Sequence, residues 1–600
     1  MTRRRFTVSI VVATVVVMIG FTVVGIWRLW QTGQLLYNQI NMVRREIAAA
    51  QVALADKQLT PAVASLTTAH QTLQQAELTV QAFRPLAWLP IVGRQITTSQ
   101  TLITVSQQTT AALLTIVTSG YDSAEIILND QRSAQQLTDD DRRALLGQLF
   151  TIAPAIQGAQ AQIDLAAIEL ASIPPDAWLI GPVRDAVNEA KAIVPQFQKL
   201  LNESLPLLQA VPYLAGYGQE KTYLLLFQNN TELRPTGGFW GTYGILKVAD
   251  GKVISLTTND IYQLDGPAEA YLKVEPPTPL KQYLNDRWYL RDANWSPDFP
   301  TAARQALWFY EQERGPEKID GVIAFDPTIV TDLLNIIGDI SYNDLVFHPE
   351  NFVDLLQYEV EIGFVDRNTP QFARKQLVGS LTGIMIDRLL NVPLAEWPTV
   401  IGIVDKNIAE RHIMFYDRDA AIQSLYAANG WAGTVQSTTG DSLMVIDANM
   451  GSLKTDRVVD KNISYVVTRE GNNLVGEVTL RYDHQQTDRD YRTGRLRTYT
   501  RIYVPKGSEI ISGSQRFDVS QELDKTVFGG LVDVYPGEEK VVTVRYRLPA
   551  VVSSLDDYQL FVQKQAGTAG HDLSIELHWG DVWPLWQTDL TVDRSFTAAW

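Results

Sequence analysis

The sequence predicts a multidomain protein with a single amino-terminal transmembrane helix, an all-α stalk or bundle, an α/β core with a mixed sheet, and a carboxyl-terminal antiparallel β-sandwich. Three observations predict this order: an uncharged apolar stretch near the amino terminus, a long segment with helical apolar spacing, and strand patterns that alternate first with helices and then with turns. A chain of 600 residues is also too long for one hydrophobic core. The predicted cytoplasmic tail, anchor, stalk, core and sandwich cover residues 1–5, 6–27, 28–212, 213–450 and 451–600.

The composition narrows the class of protein. A formal net charge of −16 argues against nucleic acid as a partner, because neutralising phosphates requires clustered lysine and arginine. The chain has no cysteine, which excludes thiol catalysis, thiolate metal sites and disulfides, and this fits a protein of the bacterial envelope. Its 6 histidines form no His-x-x-x-His pair, so a zinc enzyme is not expected.

Phe6–Trp27 is an uncharged stretch long enough to span the roughly 30 Å hydrocarbon core of a bilayer. Arg3, Arg4 and Arg5 precede it, so we expect the amino terminus in the cytoplasm and the bulk of the chain outside the bacterial plasma membrane. The alternative is a cleaved signal peptide, but the apolar run exceeds the usual length of about 7–15 residues and no Ala-x-Ala site follows it. A single-pass anchor in the lipid bilayer is therefore predicted.

The stalk, residues 28–212, contains little glycine and much alanine, glutamine and leucine. Apolar residues recur every three or four positions from Leu36 to Leu54 and again from Leu59 to Phe83, which is the narrow seam typical of coiled coils. Thr60-Pro61 lies between the two runs, where a capping residue precedes a proline, so two stacked helices are predicted rather than one. The seams pack either against each other in an antiparallel bundle or against another copy of the chain, and spacing does not separate these alternatives.

Two similar breaks interrupt this helical region. Ala87–Arg94 reads AWLPIVGR and Ala177–Arg184 reads AWLIGPVR. They indicate either a weak duplication of one helical unit or two independent proline and glycine breaks that share a tryptophan anchor.

In the predicted core, strand patterns alternate with helical ones. The predicted strands are Tyr223–Phe227, Phe239–Val248, Val253–Leu256 and Ile319–Phe325. The predicted helices are Thr301–Glu313, Thr328–Ile337, Phe352–Glu361 and Pro370–Leu390. A mixed sheet with helices on both faces is the expected assembly.

A polar loop, Gln228–Phe239, joins the first two predicted strands of the core. It lies at the carboxyl end of the first strand, where open α/β sheets bind ligands. It holds Asn229, Asn230, Glu232 and Arg234, more polar side chains than a connection needs. We therefore predict a binding site here, with these four residues as candidate contacts to a ligand or phosphate.

A second polar loop, Leu290–Pro300, ends at the start of a helix, where backbone N–H groups favour an anion. Arg291 and Asn294 are candidate contacts to a phosphate or carboxylate. Asp292 and Asp298 are candidate oxygen ligands for a divalent cation such as Mg²⁺. The alternative is structural: Asp298 caps the helix, and Arg291 and Asp292 make hydrogen bonds within the protein.

Three segments resemble a bacterial family of membrane-anchored proteins, the domain-of-unknown-function family 4012. They are Asn229–Phe239 with the pattern Asn-Asn-x-Glu-Leu-Arg-Pro-Thr-Gly-Gly-Phe, Arg291–Phe299, and Ile319–Ala324. The resemblance runs from roughly residue 215 to residue 390. It implies an anchored protein and brings no assigned activity.

The order of elements in the core has a remoter likeness to the LytR-CpsA-Psr family, membrane-anchored phosphotransferases that move glycopolymers from polyprenyl-pyrophosphate carriers. Arg374-Lys375-Gln376 is similar to that family's late Arg-Gln helix, so the resemblance implies that Arg374 contacts a pyrophosphate. Two motifs depart from the family pattern. At Arg234–Gly237 the metal-binding aspartate of that family is missing, and at Thr258–Ile261 an arginine is missing. A related fold with altered or no phosphotransfer is therefore expected.

From residue 451 the pattern changes to strands separated by turns. Predicted strands include Val458–Val467, Leu474–Tyr482 and Lys540–Leu548, with turns at Glu470–Asn473 and Pro536–Glu539. This regular spacing is typical of an antiparallel β-sandwich. A rigid accessory or interaction module is expected.

Two functions are consistent with the sequence. In the first, a membrane-anchored extracytoplasmic protein binds a ligand or scaffolds partners in envelope biogenesis or surface interaction, without established catalysis. A polyprenyl-linked glycan or an envelope protein is then the expected partner, and the stalk offers a homo-oligomer contact. In the second, a phosphotransferase similar to the LytR-CpsA-Psr family acts on polyprenyl-pyrophosphate-linked glycopolymers, with Glu232 as acid or base. The lack of Gly-x-Ser-x-Gly and of a P-loop lysine favours the first.

Overall fold

The computed structural model describes residues 30–56, 58–120, 132–174, 178–370, 374–490, 492–555, 557–579 and 583–599. They divide into two compact units, the first ending at Tyr213 and the second beginning at Leu214; the short segment Arg132–Thr138 also belongs to the second. The predicted transmembrane span, Phe6–Trp27, lies outside the described residues. Of the helices that are described, none combines the length and the apolar character needed to cross a bilayer.

The described part of the first unit is built from long helices, as the apolar spacing predicts. They are α1 (residues 30–55), α2 (Leu59–Gln81), α3 (Pro90–Ser119), α4 (Asp139–Ala171) and α5 (Gly181–Leu214). The chain breaks between α1 and α2 at the predicted change of phase. The two helices do not continue end to end, however: Val43 of α1 packs against Ala69 and Leu73 of α2, so they lie side by side.

The apolar seams of this unit face one another within the chain. Val105 of α3, Ile163 of α4 and Val194 of α5 belong to one buried cluster. Gln198 of α5 donates a hydrogen bond to Asp164 of α4 at 2.8 Å, and Gln160 of α4 donates to Asn202 of α5. The partners occur in opposite order along the two helices, which are therefore antiparallel. This is the bundle alternative, and an oligomer through the stalk stays a prediction.

The second unit begins with a mixed sheet of strand order β3-β2-β1-β4-β7. Its strands are β1 (Lys221–Asn229), β2 (Phe239–Ala249), β3 (Lys252–Asp260), β4 (Gly321–Phe325) and β7 (Ile413–Asp417); β5 (Ile340–Tyr342) and β6 (Leu345–Phe347) form a separate hairpin. β1 pairs parallel with β4 and antiparallel with β2. Because side chains alternate along a strand, Leu224 and Leu226 enter a packed core on one face, while Leu225 and Phe227 point to the other.

Helices cover both faces of this sheet. They are α6 (Tyr262–Ala268), α7 (Thr278–Tyr283), α8 (Phe299–Gln312), α9 (Pro327–Ile337), α10 (Phe352–Tyr358), α11 (Phe364–Asp366), α12 (Gln376–Leu390), α13 (Trp397–Ala409) and α14 (Ala420–Ala428). The starts of α8 and α9 follow from local sequence, since Asp298 and Asp326 accept hydrogen bonds from N–H groups of the first turn and proline follows. α12 begins at Gln376, later than predicted.

The remaining strands form two sheets that share a core. The first has the order β12-β15-β10-β9-β17-β18 and the second β13-β14-β11-β8-β16-β19. The strands are β8 (Asp441–Asn449), β9 (Val459–Glu470), β10 (Asn473–His484), β11 (Leu496–Pro505), β12 (Glu509–Gly513), β13 (Asp518–Glu522), β14 (Lys525–Val534), β15 (Glu539–Arg547), β16 (Asp557–Gln563), β17 (Asp572–His578), β18 (Leu585–Asp589) and β19 (Arg594–Ala599), with the short helix α15 (Ala550–Ser553) before β16. Residues of both sheets, among them Val445, Val478 and Phe528, enter one buried cluster.

Two details differ from the predicted antiparallel sandwich. β16 pairs parallel with β8, and β17 pairs parallel with β9. Parallel neighbours need a long connection, and these strands are separated by about a hundred residues of intervening strands, which local pattern does not reveal. β8 lies on the amino-terminal side of the predicted boundary at residue 450 although it belongs to these sheets.

The α/β part and the strand-rich part of the second unit touch at two glycines. A Cβ atom at Gly567, which has a φ of 77°, would lie 2.0 Å from the carbonyl oxygen of Gly237. Asn230 donates a hydrogen bond to the carbonyl oxygen of Gly567 at 3.1 Å. Only a residue without a side chain fits this approach, so Gly567 fixes how closely the two parts pack.

We expect Gly567→Ala to destabilise the second unit, because the added methyl group forces the Gly237 backbone away and also strains a left-handed conformation. The strain alone costs about 1–3 kcal/mol. Gly471→Ala is the matched control, since Gly471 has a φ of 62° but no atom within 4 Å of an added Cβ. Scanning calorimetry of both variants measures the difference. Equal shifts in unfolding temperature would contradict the role given to the close approach.

Candidate functional site

A cavity of about 650 Å³ lies on the face of the α/β sheet that carries Leu225 and Phe227. Helices α9, α10 and α12 form the opposite wall. The apolar part of the wall consists of Leu225, Phe227, Ile323, Phe325, Ile329, Val330, Leu333, Phe352, Val353, Leu356, Val360, Val378, Leu381, Met385, Ile386, Leu389, Val404 and Ile413. The sheet and these helices thus give the cavity a mainly apolar lining, in which Asp326, Gln357 and Thr382 are polar exceptions.

The other end of the cavity is polar, and the loop Gln228–Phe239 forms part of it. The loop folds back on itself, because the N–H of Phe239 donates to the carbonyl oxygen of Glu232 at 2.9 Å. Asn229 accepts hydrogen bonds from the N–H and the hydroxyl of Thr231 at 3.2 and 2.7 Å. These bonds give the loop a defined shape that presents Glu232 and Arg234 to the cavity.

Arg234 is the most deeply buried cation at this end, with only 3% of its surface exposed. Its guanidinium donates to the carbonyl oxygen of Asn449 at 2.7 Å and to Glu232 at 3.2 Å, and it lies 3.7 Å from Asp292. Its Nε has no acceptor within the described residues. Two carboxylates therefore neutralise this arginine, which is what a buried charge requires.

Arg291 lies beside it and is held in a similar way. It donates to Asp265 at 2.8 Å and lies 3.6 Å from the other oxygen of Asp292. The rings of Tyr262 and Tyr289 flank its guanidinium at 5.1 and 5.0 Å. The position of this side chain is thus set by carboxylates and aromatic rings of the protein.

Behind Arg291, two buried carboxyl groups lie together. Burial, and then the charge of Asp265, raise the pKa of Glu313 well above its usual range. Burial also raises the pKa of Asp265, which Arg291 opposes. Each carboxylate opposes ionisation of the other, and Arg291 favours the ionised form of Asp265, so we expect Glu313 to hold the proton of the pair.

Three further cationic side chains, Arg374, Lys375 and Lys454, lie at the polar end. Arg374 and Lys454 both contact Glu361, at 3.5 and 3.1 Å, so two cations share one carboxylate. Lys375 donates to Asp260 at 2.9 Å and to the carbonyl oxygen of Gly241 at 2.6 Å. Burial lowers the pKa of Lys375, although Asp260 opposes the shift.

Positive charge is therefore uneven across the polar end. Around Arg234 and Arg291 the carboxylates of Glu232, Asp265 and Asp292 outnumber the guanidinium groups. Around Glu361 the cations of Arg374 and Lys454 outnumber the carboxylate. An anion would find its electrostatic complement at Arg374 and Lys454.

The structure brings six of the predicted site residues to the cavity wall. They are Asn229, Glu232, Arg234, Arg291, Asp292 and Arg374. Asn230 instead holds the carbonyl oxygen of Gly567, and Asn294 is buried, donating to Thr236 at 3.0 Å and to the carbonyl oxygen of Gly238 at 2.9 Å. Those two asparagines connect loops rather than face the cavity.

Asp292 and Asp298, the predicted cation ligands, interact with different groups of the protein. Asp298 caps α8 by accepting from the N–H and hydroxyl of Thr301, at 3.1 and 2.6 Å, which is the structural alternative. Asp292 lies between two guanidinium groups and accepts from Asn285 at 2.8 Å. Among the described residues, no group of three or more metal-ligating side chains comes together.

Several cavity residues escaped the sequence analysis. Lys454 follows β8 and lies eighty positions after Arg374, so no local pattern links the two. Lys375 is adjacent to Arg374, which was a predicted ligand contact. That adjacency is the only feature of the sequence that could have identified Lys375 as a site residue. Gln357 donates to the hydroxyl of Thr231 at 2.8 Å from the buried side of α10, where helical spacing suggests only packing.

We expect Glu313→Gln to flatten the dependence of stability on pH. The unfolded carboxyl ionises above its ordinary pKa of 4.5, whereas the folded protein keeps it protonated, so folding loses stability as the pH rises. The loss is about 1.4 kcal/mol per pH unit until the raised pKa is reached. Glutamine resembles the protonated form and should remove this loss.

The measurement is denaturant unfolding of both proteins between pH 5 and pH 8. The stability of Glu313→Gln relative to the native chain should rise with pH. Glu311→Gln, an exposed position two residues earlier on α8, is the matched control and should show no such trend. Parallel pH profiles for all three proteins would refute the shared proton.

Comparison with known proteins identifies a family for part of the chain. Residues 218–360 match the model of a family described as a protein of unknown function, DUF4012. No curated protein and no solved structure matches the chain. The matched segment contains both polar loops and extends to α10, so it supports the family predicted from those loops, a family to which no activity is attached.

Proposed function

We propose that this protein is an anchored, extracytoplasmic protein of the bacterial plasma membrane that binds a lipid phosphate in the cavity of its α/β part. Phe6–Trp27 would anchor it, with the amino terminus in the cytoplasm. A polyprenyl phosphate of the kind that carries envelope glycans has the chemistry required. The observation that carries the proposal is a mainly apolar cavity with Arg374 and Lys454 in its wall, two cations that share one carboxylate.

The apolar wall supports a hydrocarbon ligand. A volume of about 650 Å³ lies within the roughly 300–1,000 Å³ of ordinary small-molecule sites. Most of the residues that line the cavity from β1, β4, α9, α10 and α12 are aliphatic or aromatic. Several of them, such as Val378 and Ile386 of α12, are only half-buried by the protein. A hydrocarbon chain would complete their burial, which favours binding at roughly 25 cal/mol per Å².

The polar end supports an anionic headgroup. Arg374 and Lys454 are largely removed from water, with side chains 22% and 14% exposed, so charge at this point is weakly screened. Their single carboxylate leaves one positive charge to be matched. A phosphate accepts from both the guanidinium fork and the ammonium group. The resemblance to the LytR-CpsA-Psr family suggests the same role for Arg374.

The proposal contains a binding step and no transfer step. Arg234 and Arg291, which were candidate phosphate contacts, are already neutralised by Glu232, Asp265 and Asp292. Their arrangement stabilises the two polar loops and leaves the charge excess at Arg374 and Lys454. This supports the binding hypothesis over the phosphotransferase hypothesis.

We expect geranyl phosphate to bind the full-length protein in lipid nanodiscs, and geraniol to bind at least tenfold more weakly. Arg374→Ala should weaken geranyl phosphate by about tenfold to a hundredfold, because a charge-assisted hydrogen bond contributes about 1.5–3 kcal/mol. Isothermal titration calorimetry measures both. Arg481→Ala, an exposed arginine of β10 paired with Glu539, is the control. Equal affinity for alcohol and phosphate, or no effect of Arg374→Ala, would refute the headgroup site.

Filling the cavity should abolish binding without unfolding the protein. Leu356 lies on the cavity wall, and Leu356→Trp places an indole in the space proposed for the hydrocarbon chain. Leu355→Trp is the matched control, because Leu355 belongs to the same helix α10 but not to the wall. Affinity for geranyl phosphate should fall below detection in the first variant and persist in the second. Binding that survives Leu356→Trp would place the ligand elsewhere.

A further inference from the structure

Two turns lie side by side at one end of the first unit. The turn between α2 and α3 spans residues 82–89, and the described end of the turn between α4 and α5 spans residues 178–180. Gln95 joins them: its side chain donates to the carbonyl oxygen of Trp178 at 2.9 Å and accepts from the N–H of Ile180 at 3.0 Å. These are the two breaks with similar sequence.

The tryptophans of both breaks face outward instead of anchoring the helices. Trp88 is 78% exposed and Trp178 is 62% exposed. Ile91 and Ile180, next to them, are also exposed. Isolated exposed apolar residues are common, but these four lie together, on the two turns and on the first turn of α3, and we treat them as one apolar surface.

The turn that carries Trp88 is held in place by tight packing. The N–H of Gly93 donates to the carbonyl oxygen of Leu89 at 2.6 Å, and a Cβ at Gly93 would lie 2.0 Å from the carbonyl oxygen of Ala87. Pro90 begins α3 with the fixed backbone angle that suits a first helical position. Trp88 therefore points outward from an ordered turn.

The same end of the unit is cationic, although the chain as a whole carries a net charge of −16. Arg84, Arg94 and Arg184 are exposed there. Neither residues 82–94 nor residues 178–184 include an aspartate or glutamate. Asp176 and Asp185 flank the second segment in the sequence, and Asp185 lies 3.9 Å from Arg184.

The beginning of α1 lies at this end as well. Leu36 of α1 packs against the buried cluster that contains Val80, and Phe83 and Leu86 of the turn between α2 and α3 pack against the same cluster. Trp30, at the first described turn of α1, is exposed. In the sequence, α1 follows the uncharged stretch Phe6–Trp27 almost directly.

We propose that a Trp tip, consisting of Trp88, Ile91, Trp178, Ile180, Arg84, Arg94 and Arg184, rests in the headgroup region of the anionic bilayer that holds the anchor. The indole has an apolar body and one N–H donor, which suits the boundary between hydrocarbon and water. Arginines attract anionic lipid while their stems remain in the apolar layer. The location of the bilayer rests on the anchor proposed above, whereas the cavity ligand plays no part in this inference.

The absence of cysteine from the chain makes the test direct, because a single introduced cysteine can be labelled with an environment-sensitive fluorophore. Ile91→Cys and Ile180→Cys report on the Trp tip. Leu200→Cys is the matched control: Leu200 is exposed on α5, and 19 residues of helix place it about 28 Å from Gly181. Each labelled full-length protein is incorporated into vesicles of phosphatidylcholine and phosphatidylglycerol, with and without a lipid-borne quencher.

We expect the labels at residues 91 and 180 to emit at shorter wavelength and to lose intensity with the quencher, while the label at residue 200 does neither. Replacing phosphatidylglycerol with phosphatidylcholine, or combining Arg84→Gln, Arg94→Gln and Arg184→Gln, should reduce the quenching. Quenching at residues 91 and 180 no greater than at residue 200 would overturn the Trp tip and indicate a protein partner for this surface. Failure of the chain to float with vesicles would overturn both anchor and tip, and geranyl phosphate binding is measured separately.

Discussion

The second unit depends on how one buried positive charge is compensated. Arg234 is almost completely removed from water, and an unpaired guanidinium there would cost several kcal/mol. Glu232 and Asp292 supply the opposite charge from the two polar loops, and the carbonyl oxygen of Asn449 supplies an acceptor from β8. The two loops and the strand-rich part must therefore be in place together for Arg234 to be satisfied. The polar loop that looked like a binding site is first a joint between two parts of the fold.

The neighbouring contacts have the same character. The carbonyl oxygen of Leu233 accepts from the N–H of Asn449 in β8 at 2.9 Å, and the N–H of Leu233 donates to the carboxylate of Asp456 at 3.1 Å. Gln565 donates to the carbonyl oxygen of Arg234 at 3.4 Å. Polar groups in a buried joint are favourable only when nearly all of them are paired. Most polar atoms of the loop form hydrogen bonds within the protein. Arg374 and Lys454 lie outside this contact between the two parts, and their excess positive charge is available to a ligand. Structural and binding roles are thus divided between adjacent residues of one surface.

The sequence correctly predicts the helices and strands that depend on local residue patterns. β1, β2 and α8 follow from alternating or helical apolar spacing, and the capping role of Asp298 was already the alternative to metal binding. The cavity could not be predicted from local patterns. Its wall contains residues of β1, β4, β7, α9, α10, α12 and α13, and the apolar spacing of each element by itself indicates only a buried face. Lys454 and the parallel pairing of β8 with β16 depend on contacts between distant parts of the chain. The likeness to the LytR-CpsA-Psr family identified Arg374 as a candidate contact. Only the three-dimensional structure shows that Arg374 and Lys454 share the carboxylate of Glu361.

The path of the chain has a consequence for the order of synthesis. Arg132–Thr138 lies between helices of the first unit, yet it belongs to the second, where the carbonyl oxygen of Arg132 accepts from the N–H of Leu394 at 3.0 Å and Ser133 bridges to Pro393. At roughly 5–20 residues per second, the ribosome needs on the order of tens of seconds to reach Leu394 after Arg132 has emerged. During that interval the helices on either side of the segment can pair, whereas the contacts of Arg132 with Leu394 and of Ser133 with Pro393 cannot yet form. The helices that flank residues 132–138 can therefore fold early in synthesis. The contacts of this segment with Pro393 and Leu394 form only after those later residues have been made.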